Sequence, residues 1–254
     1  MKTLLTLLCF AAALCFAQQN PPQDMKGMNM PGHDMSQMSG QAPGEDPQAS
    51  AQSMQSMEGH HMGMGPHMKM TALRAPQAGD AEKAQQVVGV ARGVMEKYKD
   101  YQVALDEGFK IFHPELPQKQ YHFTNYRYAF EAAFKFDPEH PTSLLYEKVG
   151  EGYRLVGLMY TAPKRFTEDD LNQRIPLSVA QWHEHVNFCK APAGKQDTLA
   201  PHPKFGLRGS IVTQEECDAN GGEFHPIVFN WMVHLYPNEK DPAQIWSVDR
   251  QHAD

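Results

Sequence analysis

From Asp80 onward the apolar positions fall on a helical repeat. Behind the acidic start DAEK, Val87, Val90, Ala91, Val94, Met95 and Tyr98 recur at steps of three and four. Such steps put side chains on one stripe of a helix, so the pattern predicts a long helix and then a second helical stretch ending near Gly108. Beyond that point the repeat shortens to two, and runs of aromatic and β-branched residues alternate with Pro and Gly clusters. Strands are predicted over Tyr121 to Thr124, Ser143 to Lys148, Tyr153 to Thr161, Val179 to Cys189 and Ile227 to Tyr236, with a short helix over Tyr126 to Phe134. EKVGEGYRLVGLMYT reads as a hairpin about Gly150 and Gly152. Helices followed by strands with short connectors predict a single α+β domain over 79–254, its N-terminal helices packed on an antiparallel sheet.

The remainder of the chain lacks either repeat. Residues 1–17, MKTLLTLLCFAAALCFA, combine one lysine, an apolar run and a small residue at Ala17, the pattern of a cleaved signal peptide. Residues 18–78 are built from Met, Gln, Gly, Pro, Ser and His with few aliphatic or aromatic residues. Such a segment buries too little apolar surface to offset chain entropy, so a disordered tail is expected.

Composition narrows the setting. The 254 residues carry a formal net charge of -7, which becomes -8 once Lys2 leaves with the signal. That balance disfavours contact with a phosphate backbone, so nucleic acid is excluded as a partner. No later run suits a membrane helix, and the mature chain is expected free of the membrane, periplasmic or secreted. Cys9 and Cys15 also leave with the signal, and the remaining pair, Cys189 and Cys217, is expected to form a disulfide in an oxidising compartment. A clamp just before the Gly221–Gly222 turn would add about 3 kcal/mol in the chain-entropy model.

The candidate chemistry lies in WHEHVNFC. On a strand, His183, His185, Asn187 and Cys189 share one face, while Trp182, Glu184, Val186 and Phe188 share the other. In IVFNWMVHLY, Ile227, Phe229, Trp231, Val233 and Leu235 form a core face, leaving Val228, Asn230, Met232, His234 and Tyr236 opposite. If the two strands are antiparallel neighbours, His234 approaches His183 and His185, and His122 of QYHFTNY is the fourth candidate. Imidazoles gathered with an open position suit a bound metal, and a nearby methionine favours copper over zinc. Glu184 faces away and is a poorer ligand. A histidine cluster can also bind a small anion or hydrogen bond within a core, so these readings stand beside the metal one. No G-x-S-x-G, H-E-x-x-H or phosphate-binding loop is present in the sequence.

The tail supplies a second donor set: Met25, Met28, Met30, His33, His60, His61, Met62, Met64, His67, Met68 and Met70. Thioether and imidazole both bind Cu(I), and imidazole also takes Cu(II) and zinc. This segment resembles the Met/His-rich tails of periplasmic copper-handling proteins. A separate block runs YHFTNYRYAFEAAFKFDPEHPTSLLYEKVGEGYRLVGLMYTAP. It is similar to a motif of uncharacterised secreted bacterial proteins: Tyr-His-aromatic-x-Asn (from Tyr121), Asp-Pro-x-x-Pro-x-x-Leu-x-Tyr (from Asp137) and Gly-x-Arg-Leu-Val (from Gly152). The resemblance implies an extracytoplasmic home and a shared fold, without an activity. The expectation is an extracytoplasmic metal-binding protein, copper favoured and zinc the alternative, for buffering or transfer. Its expected partners are the ion and another extracytoplasmic metal-handling protein. The competing readings are a metal-dependent enzyme or redox protein using the same histidines, and a small-ligand binding domain with an incidental tail.

Overall fold

The computed structural model describes residues 46–57, 65–197 and 199–248. An eight-stranded, antiparallel sheet dominates it. Its strands are β1 (Met68–Met70), β2 (Lys110–Ile111), β3 (Tyr121–Thr124), β4 (Ser143–Val149), β5 (Gly152–Ala162), β6 (His183–Lys190), β7 (Glu223–Ile227) and β8 (Trp231–Leu235). They run in the order β1-β6-β8-β5-β4-β3-β2, with β7 on the C-terminal half of β6. The helices are α1 (Pro47–Met57), α2 (Asp80–Lys97), α3 (Tyr101–Asp106), α4 (Tyr126–Glu131), α5 (Glu168–Arg174), α6 (Gln214–Ala219) and α7 (Pro242–Ile245).

This corrects the expected α+β layering. Only α2, with 18 residues, is a long helix; the others are short connectors and caps around the sheet. The sheet extends further than the alternation indicated, because β1, β2 and β7 lie in sequences without a clear period of two. The expected strand from Ile227 to Tyr236 divides into β7 and β8, with residues 228–230 outside both. The 18–78 segment is also corrected where it is described. Residues 47–57 form α1, and Met68–Met70 form an edge strand paired with β6, Met68 opposite His185 and Met70 opposite His183. The signal sequence and the rest of that segment lie outside the described residues.

The two faces of the sheet differ in chemistry. One carries Phe123, Leu144, Tyr146, Leu158, Tyr160, Val233 and Leu235 against Val87, Ala91, Val94 and Met95 of α2, and these form the main core. This is the apolar stripe that the helical repeat marked, and burying it is the principal source of stability. Asp80 and Glu82 in the first turn of α2 and Lys97 in its last complement the helix dipole. The other face carries Leu145, Met159, Met232 and Tyr236 in a smaller cluster and holds the histidines.

Polar side chains dock α1. Asp46 caps its start, accepting from the Gln48 N–H at 2.8 Å, and pairs with Lys190 on β6. Buried Gln52 accepts from the Ala191 N–H at 2.8 Å and donates to the Ala191 carbonyl at 3.3 Å. Ser56 accepts from the Leu207 N–H at 3.0 Å, and Ser50 lies 2.8 Å from His113 Nε2. These contacts add to the apolar side of α1, where Ala49 and Met54 are buried.

Cys189 of β6 and Cys217 of α6 form the expected disulfide, with Cα atoms 5.7 Å apart. A Cβ on Gly222 would stand 2.5 Å from Cys189 Sγ and 2.8 Å from the Lys190 carbonyl oxygen, so the chain passes the disulfide where only glycine fits.

Candidate functional site

The register of the sheet places the four histidines on one face. His234 of β8 lies opposite Met159 of β5, and one step along, Met232 of β8 lies opposite His183 of β6. His185 follows two residues later on β6. His122 enters from β3, opposite Leu145 of β4. Gly157, opposite Leu145 on its other side, leaves room for the Tyr236 ring, and the Tyr236 hydroxyl donates to Gln120 Oε1 at 3.0 Å. All four imidazoles are buried, with no more than 7 % of any residue exposed.

They form a string. The ring centroids of His122 and His234 are 6.4 Å apart, those of His234 and His183 5.1 Å, and those of His183 and His185 5.6 Å. Two imidazoles on one tetrahedral or trigonal ion with a metal–nitrogen distance near 2.0 Å have centroids roughly 5–5.5 Å apart. The two shorter separations match that geometry, and His122 would need to approach by about 1 Å. Both close pairs include His183, and no three of the four imidazoles have ligand atoms within 4.8 Å of one another, so a common ion would require the rings to turn or close in. His183 and His185, a pair in sequence, lie nearly perpendicular at 84°.

A pocket enclosing about 100 Å3 reaches this face beneath α1 and α4. His122 and His185 line it, with Met159 and Met232 from the sheet, Met54 and Met57 from α1, and Phe112 and Phe229. Four of its hydroxyls bond in pairs, Thr124 to Ser143 and Thr142 to Thr161, each pair at 2.8 Å. Thioethers and imidazoles are therefore prominent among the donors. Phe229 was expected on the core face, but the break after β7 lets it turn to the histidine side, where its ring lies 5.9 Å from His185.

Alternation within β6 holds through His185 and then fails. Asn187 has φ +54°, a left-handed conformation, and its side chain donates to the Pro66 carbonyl at 2.6 Å. Phe188, assigned by alternation to the face opposite the histidines, packs with Met68 and with Ala49 of α1. Glu184 does occupy the opposite face, fully buried, with Lys69 3.4 Å away and Lys69 lying over the Trp231 ring. Burial pushes the Glu184 carboxyl above its ordinary value, against the opposing pull of Lys69.

Of the tail donors, three are described. His67 is buried, with Nε2 2.7 Å from the Gly209 carbonyl oxygen; Met68 and Met70 stand on β1 opposite His185 and His183. Met25, Met28, Met30, His33, His60, His61, Met62 and Met64 lie outside the described residues.

Sequence reasoning passed over Asp46, Glu223 and His225, whose potential ligand atoms lie within 4.8 Å of one another. Lys190 Nζ already pairs with both carboxylates. Burial alone would lower the Lys190 pKa, yet the two carboxylates raise it, so the ammonium supplies the cation that this cluster attracts. We read it as the ion-pair anchor of α1. Only the wide separation of these residues in sequence concealed it.

The residues of the block from 121 to 163 are largely scaffold. Asn125 caps α4, accepting from the Arg127 and Tyr128 N–H groups. The Tyr146 and Tyr160 hydroxyls donate to the Tyr98 and Pro138 carbonyls at 2.6 and 2.9 Å. His122 is the motif residue that belongs to the histidine string. No family model, curated protein or solved structure matches the chain. No helix among the described residues is long and apolar enough to cross a membrane.

Proposed function

We propose that the protein is an extracytoplasmic metal-binding protein, copper favoured over zinc, in which His122, His183, His185 and His234 hold the ion for buffering or transfer. The observation that supports this reading most is the buried string of four imidazoles, with the His183 ring 5.1 Å from His234 and 5.6 Å from His185, near enough for small ring movements to bring them onto one ion. Met159 and Met232, directly across from His234 and His183, supply the soft neighbours that favour copper. The Cys189–Cys217 disulfide accords with an oxidising compartment. Capture by the tail and delivery to another extracytoplasmic metal-handling protein complete the proposal.

The pocket favours a second reading, a metal-dependent enzyme or redox protein, because a small molecule entering it would reach His122 and His185. The two readings share a site and differ in turnover.

The test is metal uptake by the full chain and by His183→Ala/His185→Ala, with circular dichroism confirming the fold. Loss of one tightly held equivalent in the variant is expected. Unchanged stoichiometry and affinity in a folded variant would overturn the folded site.

A further inference from the structure

We infer that α1 and the sheet together form a thioether subsite for a soft monovalent ion, Cu(I), beside the histidines, with Met54 and Met57 facing Met159 and Met232 across the pocket. The inference rests on the proposed histidine site and assigns its selectivity.

Four methionines reach one pocket from three separate elements, α1, β5 and β8. Methionine commonly fills irregular gaps in a core, but a gap-filler has no need to border open space. Here Met54, Met57, Met159 and Met232 line a cavity that also contains His122 and His185. Four of the cavity's hydroxyls pair off at 2.8 Å, Thr124 with Ser143 and Thr142 with Thr161. Among the described residues no carboxylate lines the cavity, so a hard cation finds no charged oxygen ligand there, whereas thioether sulfur and imidazole suit a borderline or soft ion.

The position of α1 strengthens the argument. Besides its buried Ala49 and Met54, Gln52, Ser56 and the Asp46–Lys190 pair hold it in place. This docking presents Met54 and Met57 at the pocket. Met159 and Met232, which line the same pocket, are across from His234 and His183 in register, so thioether and imidazole donors adjoin there. Cu(I) would exchange between these thioether and imidazole ligands without oxidation or reduction. Zinc gains little from the thioether set.

The test uses the full chain with 13C-methyl-labelled methionine, titrated with Ag(I) as a redox-inert stand-in for Cu(I) and, separately, with Zn(II). Met54→Leu/Met57→Leu and Met159→Leu/Met232→Leu assign the methyl signals while conserving volume. The expected result is that all four methyl signals shift with Ag(I) and stay in place with Zn(II). Cu(I) affinity, measured by chelator competition, should fall about tenfold in each Leu pair, while Zn(II) affinity is retained. Silent signals from these four methyls under Ag(I), or full Cu(I) affinity in both folded Leu pairs, would overturn the inference. Histidine ring signals recorded during the Zn(II) titration report separately on the histidine site. Its failure there, with the four methyls still responding to Ag(I), would leave the thioether subsite standing alone.

Discussion

Gly157→Ala probes the packing that shapes the histidine face. A Cβ at this position would lie 2.6 and 2.7 Å from two carbons of the Tyr236 ring and 3.1 Å from the Leu235 carbonyl oxygen. Ordinary carbon contacts are near 3.5–4 Å, so the ring must retreat by about 1 Å. Tyr236 is fully buried, its hydroxyl is bonded to Gln120 at 3.0 Å, and its ring lies 6.4 Å from His234. Overpacking of this kind costs about 1–3 kcal/mol, and weakening the buried hydrogen bond about 1 more. The lower entropy of an unfolded chain with alanine returns about 0.4–1 kcal/mol. The net loss is about 2 kcal/mol, or roughly 4–8 °C in Tm for a chain of this size. Thermal and urea denaturation of the oxidised protein measure it. Gly89→Ala in α2 is the control, because a Cβ there meets nothing within 4 Å and should stabilise the helix by about 1 kcal/mol. If Gly157→Ala proved as stable as the wild type, the close packing of Tyr236 on Gly157 would be wrong.

Three other expectations follow from the same structure. Glu184 has its pKa raised by burial, so its contribution is most favourable below the ordinary value of 4.5 and is lost as pH rises through the folded value. Glu184→Gln should therefore be more stable than the wild type at pH 7 by about 1–3 kcal/mol, with the gap closing in acid, and a less stable variant at pH 7 would refute this. Gln52→Ala leaves both polar groups of the Ala191 backbone without their Gln52 bonds and should cost about 2 kcal/mol, read as faster hydrogen exchange across Pro47–Met57; unchanged exchange would argue against polar docking of α1. Replacing Cys189 and Cys217 together opens a loop with a separation of 28 residues and should cost about 3–4 kcal/mol in urea denaturation, an undiminished midpoint being the contrary result.

The parts of the fold that were legible in the sequence are those where one simple repeat operates. The steps from Val87 to Tyr98 marked the buried stripe of α2, and alternation in β6 placed His183 and His185 together with Glu184 opposite. His234 and Met232 were also placed on the correct face, because β8 is regular from Trp231 to Leu235. Elsewhere the backbone departs from the repeat. The left-handed Asn187 redirects Phe188, and the break at 228–230 redirects Phe229. The α1 helix was missed for a different reason: its docking is encoded in Gln52, Ser50 and Ser56, whose hydrogen bonds leave no hydrophobic period. β1 is three residues, Met68 to Met70, inside a stretch whose composition resembles an unstructured metal-binding segment. Its pairing with β6 depends on residues more than a hundred positions away. Thus alternation identified the histidines, whereas the pocket beside them depends on long-range docking that a local pattern does not carry.

X-ray absorption at the copper edge, recorded on the full chain loaded with one equivalent under reducing conditions, addresses the central claim most directly. The account predicts multiple scattering from imidazole rings among the nearest neighbours, largely lost in His183→Ala/His185→Ala. A spectrum of sulfur alone, identical in the wild type and that variant, would place the ion away from the histidine string and contradict it.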